Sequence, residues 1–156
     1  MDPGFLYDTF VQLLSGLPLT LELVAISVSA GAMLAIGLAL IRVSKVSVLD
    51  RLARIYIFFF RGTPLLVQIF LVYYGLSQFD FVRNGPLWPI LREPFWCAII
   101  ALTMNTAAYG GEILRGGLQA VPFGQVEAGR AYGMSGILLF RRIILPVMLR
   151  QALPAY

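Results

Sequence analysis

The sequence predicts an all-α, polytopic transmembrane helical protein. Of its 156 residues, 59% are hydrophobic and only 13% charged, and the mean hydropathy is +0.82. A soluble chain of this size keeps a polar skin over its core, and these few charges cannot make one. Three long apolar runs, separated by segments rich in Arg or Pro, complete the case. The inventory also excludes several chemistries: with no His and a single Cys97, there is no His-based acid/base work, disulfide framework or ordinary zinc site. The net charge of +4 does not point to nucleic acid, because eleven of the twelve cations are Arg scattered between apolar runs rather than gathered on one face.

The first run, Leu23 to Ile41, has nineteen residues without a charge, bounded by Glu22 and Arg42. That is close to the roughly 20 residues a spanning helix needs. A cleaved signal peptide is the rival reading, but the preceding segment carries Asp2 and Asp8 and no Lys or Arg, the reverse of a basic leader. Inside the run, Ala30, Gly31, Ala32, Ala35, Gly37 and Ala39 are small, which lets helix backbones approach closely where lipid supplies no hydrophobic drive.

The second run, Ile55 to Leu76, is interrupted by Arg61-Gly62-Thr63-Pro64. Proline removes an amide donor and disfavours helical geometry in the residue before it, so a helix kinks or starts here. Arg61 lies near one end of the run and can snorkel to the interface. Pro86, Pro89 and Pro94 mark the following loop. The third run, Phe95 to Ile113, is broken only by Glu112 and the central Thr103, Asn105 and Thr106.

Cytoplasmic loops accumulate Lys and Arg. The stretch before the first run has none; the first loop has Arg42, Lys45, Arg51 and Arg54; the second balances Arg83 and Arg92 against Asp80 and Glu93; Arg115, Arg130, Arg141, Arg142 and Arg150 follow the third run. The expected orientation is N-terminus out, with 114–146 in the cytoplasm. No internal repeat is evident, so residues 1–156 read as one membrane domain.

Residues 118–146 are less hydrophobic yet carry helix signals on both sides of a glycine. Pro122 suits a first helical turn, Glu127 and Arg130 share a helical face, and Gly133 can end the helix with positive φ. Ser135 is a candidate N-cap for a second helix through Ile144, with Arg141 and Arg142 near its C-terminus and Pro146 restarting the chain. Gly124, Ala128, Gly129 and Ala131 are small, so the first helix can sink into a groove on another protein. A solvated inter-helix loop is the alternative.

Glu127-Ala128-Gly129-x-x-x-Gly133, then nine residues, then Ile143-x-Leu145-Pro146 resembles the EAA loop of ABC importer permeases, with Gly129 in place of the second alanine. Tyr109-Gly110-Gly111-Glu112-Ile113-Leu114-Arg115-Gly116-Gly117 and Ala120-Val121-Pro122-Phe123-Gly124-Gln125 are similar to the sequence preceding that loop in polar amino-acid permeases. Phe60-Arg61-Gly62-Thr63-Pro64-Leu65 resembles their second-helix signature, and Ala152-Leu153-Pro154-Ala155-Tyr156 the branch that imports histidine, lysine, arginine, ornithine and opines, most of all its M-type subunit. The resemblance runs from about Pro18 to the last residue.

It implies a type I ABC importer permease fold in the bacterial inner membrane, with three full spans plus the start of a fourth. Two homologous permease subunits would form the pore, two cytoplasmic ATPase subunits would bind beneath, and a periplasmic amino-acid-binding protein would deliver the substrate. The coupling helix would be Gly124 to Tyr132, and the ATPase-coupling residues Gly124, Gln125, Glu127, Ala128, Gly129, Gly133, Ile143, Leu145 and Pro146. ATP and Mg would sit on the partner ATPase, with no cofactor bound by this subunit. In agreement, there is no G-x-x-x-x-G-K-[ST], and the only lysine, Lys45, follows a transmembrane run. The family is longer, so the chain is expected to stop just as a fourth helix begins.

Polar groups at mid-membrane are costly, which makes Gln68, Thr103, Asn105 and Thr106 candidates for the substrate pathway. Their alternative role is hydrogen bonding between helices. Glu112 can attract a cationic substrate or pair with a nearby Arg, and Tyr73 and Tyr74 read as an aromatic belt or as a cation contact. Cys97 reads as a small apolar residue. A permease for another solute, or an intramembrane enzyme or assembly factor, are the rival functions; the last two need a catalytic cluster, whereas the carboxylates here sit singly at the edges of the runs.

Overall fold

The computed structural model describes residues 3–44 and 46–155, and every regular element among them is helical. Asp2, Lys45 and Tyr156, which enter the expectations for the amino-terminal charge, the first loop and the carboxy-terminal motif, lie outside the described residues.

Helices α1 (Pro3–Ser15) and α2 (Leu17–Val43) adjoin at Gly16, and the predicted first span is the inner part of α2. Pro18 falls in the first turn of α2, where its missing N–H is no loss. The helix stops at Ser44, which turns extended and hydrogen-bonds its own last turn, N–H to the Leu40 carbonyl at 3.0 Å and hydroxyl to the Ile41 carbonyl at 2.8 Å.

The second apolar run breaks at Thr63-Pro64, where the sequence places a kink or a helix start. It forms α3 (Ser47–Gly62) and α4 (Leu65–Phe70), the latter continuing through a π turn at Leu71–Gly75 and a 3-10 turn at Leu76–Gln78, with a bend of 109° between the two arms. Thr63 and Pro64 are both extended, as proline and its predecessor demand. Among the described residues, only Gly4–Val43 and Pro94–Gln119 are single stretches long and apolar enough to cross a membrane; the bent pair makes a third only if both arms form one span.

Short helices α5 (Asp80–Arg83) and α6 (Trp88–Leu91) fill the proline-rich loop before α7 (Pro94–Gln119). Cys97 is fully buried, its thiol donating to the Leu91 carbonyl at 3.2 Å. Beyond α7 come α8 (Phe123–Ala131), α9 (Gly136–Leu139), a π turn at Phe140–Ile144, and α10 (Leu145–Ala152), closed by a 3-10 turn at Leu153–Ala155.

The core is the seam between α2 and α7. Ser27, Gly31, Ala35 and Ala39 recur every fourth residue on α2 and are buried against Thr103, Ala107, Gly110 and Gly111 of α7. The approach is set by missing side chains. A Cβ on Gly31 would lie 2.7 Å from the Thr106 Cβ, and one on Gly111 would lie 3.0 Å from the Leu38 Cβ. Gly37 does not share this role, since its Cβ would meet open space. At the far end of α7, Gly117 receives α10, its absent Cβ leaving room for the Met148 carbonyl, 2.9 Å from where that atom would be.

Candidate functional site

The segment 118–146 is a helical hairpin. Helix α8 begins after Pro122, which is extended and stands at the N-cap position rather than within the first turn. It ends in a Schellman turn: the Gly133 N–H donates to the Arg130 carbonyl at 2.9 Å, and the Met134 N–H to the Gly129 carbonyl at 3.0 Å. That turn needs a left-handed residue, and Gly133 supplies it with φ +77°.

The small residues of α8 do not all face outward. Gly124 and Ala128 are exposed, whereas Gly129 is buried beneath the second arm, with a Cβ position only 2.6 Å from Leu139 Cδ1 and 3.3 Å from Ile143 Cγ1. The glycine that departs from the EAA pattern therefore closes the hairpin on itself. Gln125, Glu127 and Arg130 are exposed, and Glu127 and Arg130 form no ion pair among the described residues. Phe123, Tyr132 and Ile137 are exposed apolar groups on the same hairpin.

The second arm is longer than expected. Ser135 has N-cap backbone geometry, its carbonyl accepting the Leu138 N–H at 3.2 Å, but its hydroxyl makes no cap bond. Pro146 does not restart the chain: the helix runs through it into α10. The π turn immediately upstream provides the physical reason, since a wider turn relieves the clash between a proline ring and the carbonyl four residues before it. Arg141 and Arg142 consequently lie mid-helix, away from any C-terminus, while Ile143 and Leu145 are half-buried.

The polar residues of the membrane runs converge on the α3–α4 bend. Pro64 lacks the N–H that would bond the Phe60 carbonyl in an unbroken helix. The buried Gln68 supplies the missing donor, its side-chain amide reaching the Phe60 carbonyl at 2.8 Å and the Thr63 carbonyl and hydroxyl at 3.0 and 2.8 Å. Asn105 of α7 donates to the Gln68 side-chain oxygen at 3.1 Å and to the Phe60 carbonyl at 3.4 Å. Tyr56 ties the same two helices by donating to the Met104 carbonyl at 2.7 Å. Thr103 and Thr106 stay outside this cluster: the Thr103 hydroxyl is buried without a hydrogen-bond partner among the described residues, and Thr106 faces Gly31.

Glu112 belongs to a charged cluster two turns further along α7. Arg115 donates to one of its carboxylate oxygens, through Nε at 3.0 Å, and Arg42 approaches the other at 3.7 Å. Arg42 also pairs with Asp50 at 2.6 Å, and Asp50 with Arg54 at 2.6 Å, so the ends of α2, α3 and α7 share one ion network. Arg61 is exposed near the end of α3, with its guanidinium 5.2 Å from the centre of the Tyr109 ring. Tyr73 and Tyr74 lie in the π turn, rings 4.7 Å apart, beside a cavity shared with Trp88 and Arg92.

Sequence reasoning missed the partners that complete these sites: Asp50 as the link between Arg42 and Arg54, Tyr109 under Arg61, and the Phe60 carbonyl as the common acceptor. Only the last left a local signal, the four-residue steps from Phe60 to Pro64 to Gln68.

Residues 27–156 match the family model described as binding-protein-dependent transport system inner membrane component. The chain is similar to the octopine transport system permease protein OccM of Rhizobium radiobacter, 60% identical over 155 residues, covering 99% of this chain and 63% of that protein. It is 50% identical over 157 residues to the nopaline transport system permease protein NocM of Agrobacterium fabrum, covering 65% of that protein. The chain thus spans somewhat less than two thirds of the length of these relatives. Among solved structures, a crystal structure of an amino acid ABC transporter with histidines superposes with a TM-score of 0.80 at 37% identity, covering 99% of this chain and 68% of that one. With four fifths of the chain inside the family match and its helices reproducing a solved member's fold, the protein belongs to the binding-protein-dependent transport system inner membrane components.

Proposed function

We propose that this chain is a permease subunit of an ABC importer for amino acids, with opines, histidine and the basic amino acids as the substrate class. The observation that carries the reading is 60% identity to an octopine permease across nearly the whole chain, together with an EAA-type hairpin whose turn glycine has φ +77°. A second homologous permease subunit, two cytoplasmic ATPase subunits and a periplasmic amino-acid-binding protein complete the machine, which works from the bacterial inner membrane with the N-terminus of this subunit outside.

In this reading the subunit holds no ATP or Mg; the ATPase does. Helix α8 docks on that ATPase through the outward-facing Gly124, Gln125, Glu127 and Ala128. Gly129 and Gly133 give the hairpin its shape, and Ile143, Leu145 and Pro146 carry movement into α10 and through Gly117 to α7. ATPase closure then biases the membrane helices between two arrangements, a mechanical two-state link. Gln68 and Asn105 act first as a clasp on the α3–α4 bend. Glu112 serves the ion network, and Thr103, whose buried hydroxyl has no hydrogen-bond partner among the described residues, remains a pathway candidate.

The test is Glu127→Lys in the intact transporter. Membrane insertion is expected to persist while ATPase co-purification and uptake of radiolabelled octopine or arginine fall; unchanged assembly and uptake would refute the docking role. Labelling of cysteines placed at 124–128 by a membrane-impermeant reagent from outside intact cells would refute the orientation.

A further inference from the structure

A cavity of about 550 Å³ opens between α3 and the ends of α2 and α7, bordered by Arg42, Arg54, Arg61, Phe58, Tyr109 and Glu112. Its charges do not balance. Asp50 and Glu112 are shared among Arg42, Arg54 and Arg115, while Arg61 has no ion-pair partner among the described residues and only the face of Tyr109 beneath it. Arg42, Arg54, Arg61 and Glu112 border the cavity and Asp50 and Arg115 belong to the network behind it, so four guanidinium groups are set against two carboxylates, a surplus of two positive charges.

The rim is amphipathic. Arg54, Phe58 and Arg61 follow one another at spacings of four and three, so they occupy one flank of α3. Phe58, between the two cations, is 81% exposed, and the neighbouring stripe of Val48, Leu52 and Ile55 is exposed as well. A guanidinium pair offers planar, charge-assisted donors suited to phosphate oxygens, and the apolar stripe beside it suits acyl chains. Basic pockets between membrane helices with this pattern favour anionic headgroups.

From this geometry we infer that the cavity is a phosphate site for an acidic phospholipid, with Arg54 and Arg61 holding the headgroup phosphate and the exposed stripe of α3 lying along the acyl chains. A free phosphate ion shares the headgroup chemistry but makes no use of Phe58 and the apolar stripe. The site is separate from the α8 hairpin, and the inference does not depend on which solute the protein carries.

Native mass spectrometry of the protein purified in neutral detergent tests it, with phosphatidylglycerol titrated against phosphatidylcholine. Phosphatidylglycerol is expected to bind about fivefold or more tightly, and Arg61→Gln to lose about fivefold of that preference, the contribution of one surface arginine. Arg83→Gln, on α5, should leave it unchanged. Helical circular dichroism reports folding, and Arg54→Gln is the second variant should Arg61→Gln fail to fold. Equal binding of the two lipids, or an unaltered preference in both variants, overturns the site. Displacement of the lipid by inorganic phosphate at equal concentration would assign it to the free ion and overturn the lipid. Loss of the adduct on assembly with a second permease subunit would show the cavity filled by protein, and would overturn it too.

Discussion

Gln68 donates to the Phe60 carbonyl at 2.8 Å, replacing with a side chain the backbone bond that Pro64 cannot make. Because Asn105 of α7 joins the same carbonyl and the Gln68 oxygen, a local repair in one helix also fastens that helix to its neighbour. Gln68→Leu should therefore leave the Phe60 carbonyl and the Asn105 amide with only their long 3.4 Å bond to each other, and the Thr63 carbonyl without its side-chain donor. The expected loss is about 1–3 kcal/mol for the buried polar groups left behind, read from thermal unfolding in detergent. Gln68→Glu should fare no better, since a carboxylate accepts but cannot donate; wild-type stability in that variant would mean the donation is unimportant.

Packing at the α2–α7 seam gives a paired prediction. In Gly31→Ala the new Cβ would stand 2.7 Å from the Thr106 Cβ and 3.2 Å from the Thr103 carbonyl oxygen, with backbone on one side that cannot yield. The two helices must part, at a cost of about 1–3 kcal/mol. Gly37→Ala, on the same helix but facing open space, should be neutral or stabilise by up to ~1 kcal/mol from helix propensity. Parallel melting curves of the two variants decide the matter; equal shifts would mean the seam is looser than described.

The hairpin glycines should differ in kind. At Gly133 nothing crowds a Cβ, so Gly133→Ala is opposed only by the left-handed backbone, about 1–2 kcal/mol. At Gly129 the obstacle is Leu139 Cδ1, the end of a side chain that can rotate. Gly129→Ala should be tolerated and Gly129→Val should not, and Leu139→Ala should rescue Gly129→Val but have no such effect on Gly133→Ala. Protease sensitivity of the 118–146 segment is the readout.

Arg42 joins Asp50 and Glu112, with all three side chains less than a quarter exposed. Arg42→Met leaves Asp50 paired with Arg54 and Glu112 with Arg115 but removes the cation that joins them, and the expected cost is about 1.5–3 kcal/mol, that of one charge-assisted hydrogen bond. The exposed pair Arg92–Glu93, at 3.5 Å, supplies the control: Arg92→Met should change stability by less than about 0.5 kcal/mol. Equal effects in a chemical unfolding series would show that the network contributes nothing beyond surface charge.

Features set by near neighbours in the chain are legible in the sequence. Apolar length marked α2 and α7, Thr63-Pro64 marked the break, and Gly133 marked the end of α8, because each depends on backbone geometry within a few residues. Pro146 misled for the opposite reason: proline usually stops a helix, and nothing local announces the π turn that lets this one continue. The meeting of Arg42 with Glu112, and of Asn105 with Gln68, joins distant stretches of chain. Only the tertiary fold can say which of several scattered arginines meets which carboxylate. Gly129 shows the same limit, since smallness permits either an outward groove contact or an inward one, and the second arm of the hairpin decides.

The double use of the Phe60 carbonyl has an energetic corollary. Any solute that competes for the Gln68 or Asn105 amide must first displace a bond that holds α3 at its angle to α4, so occupancy and bend angle become thermodynamically linked, each altering the other by the same factor. In the proposed permease, transport and helix geometry would then share a single free-energy balance at that oxygen.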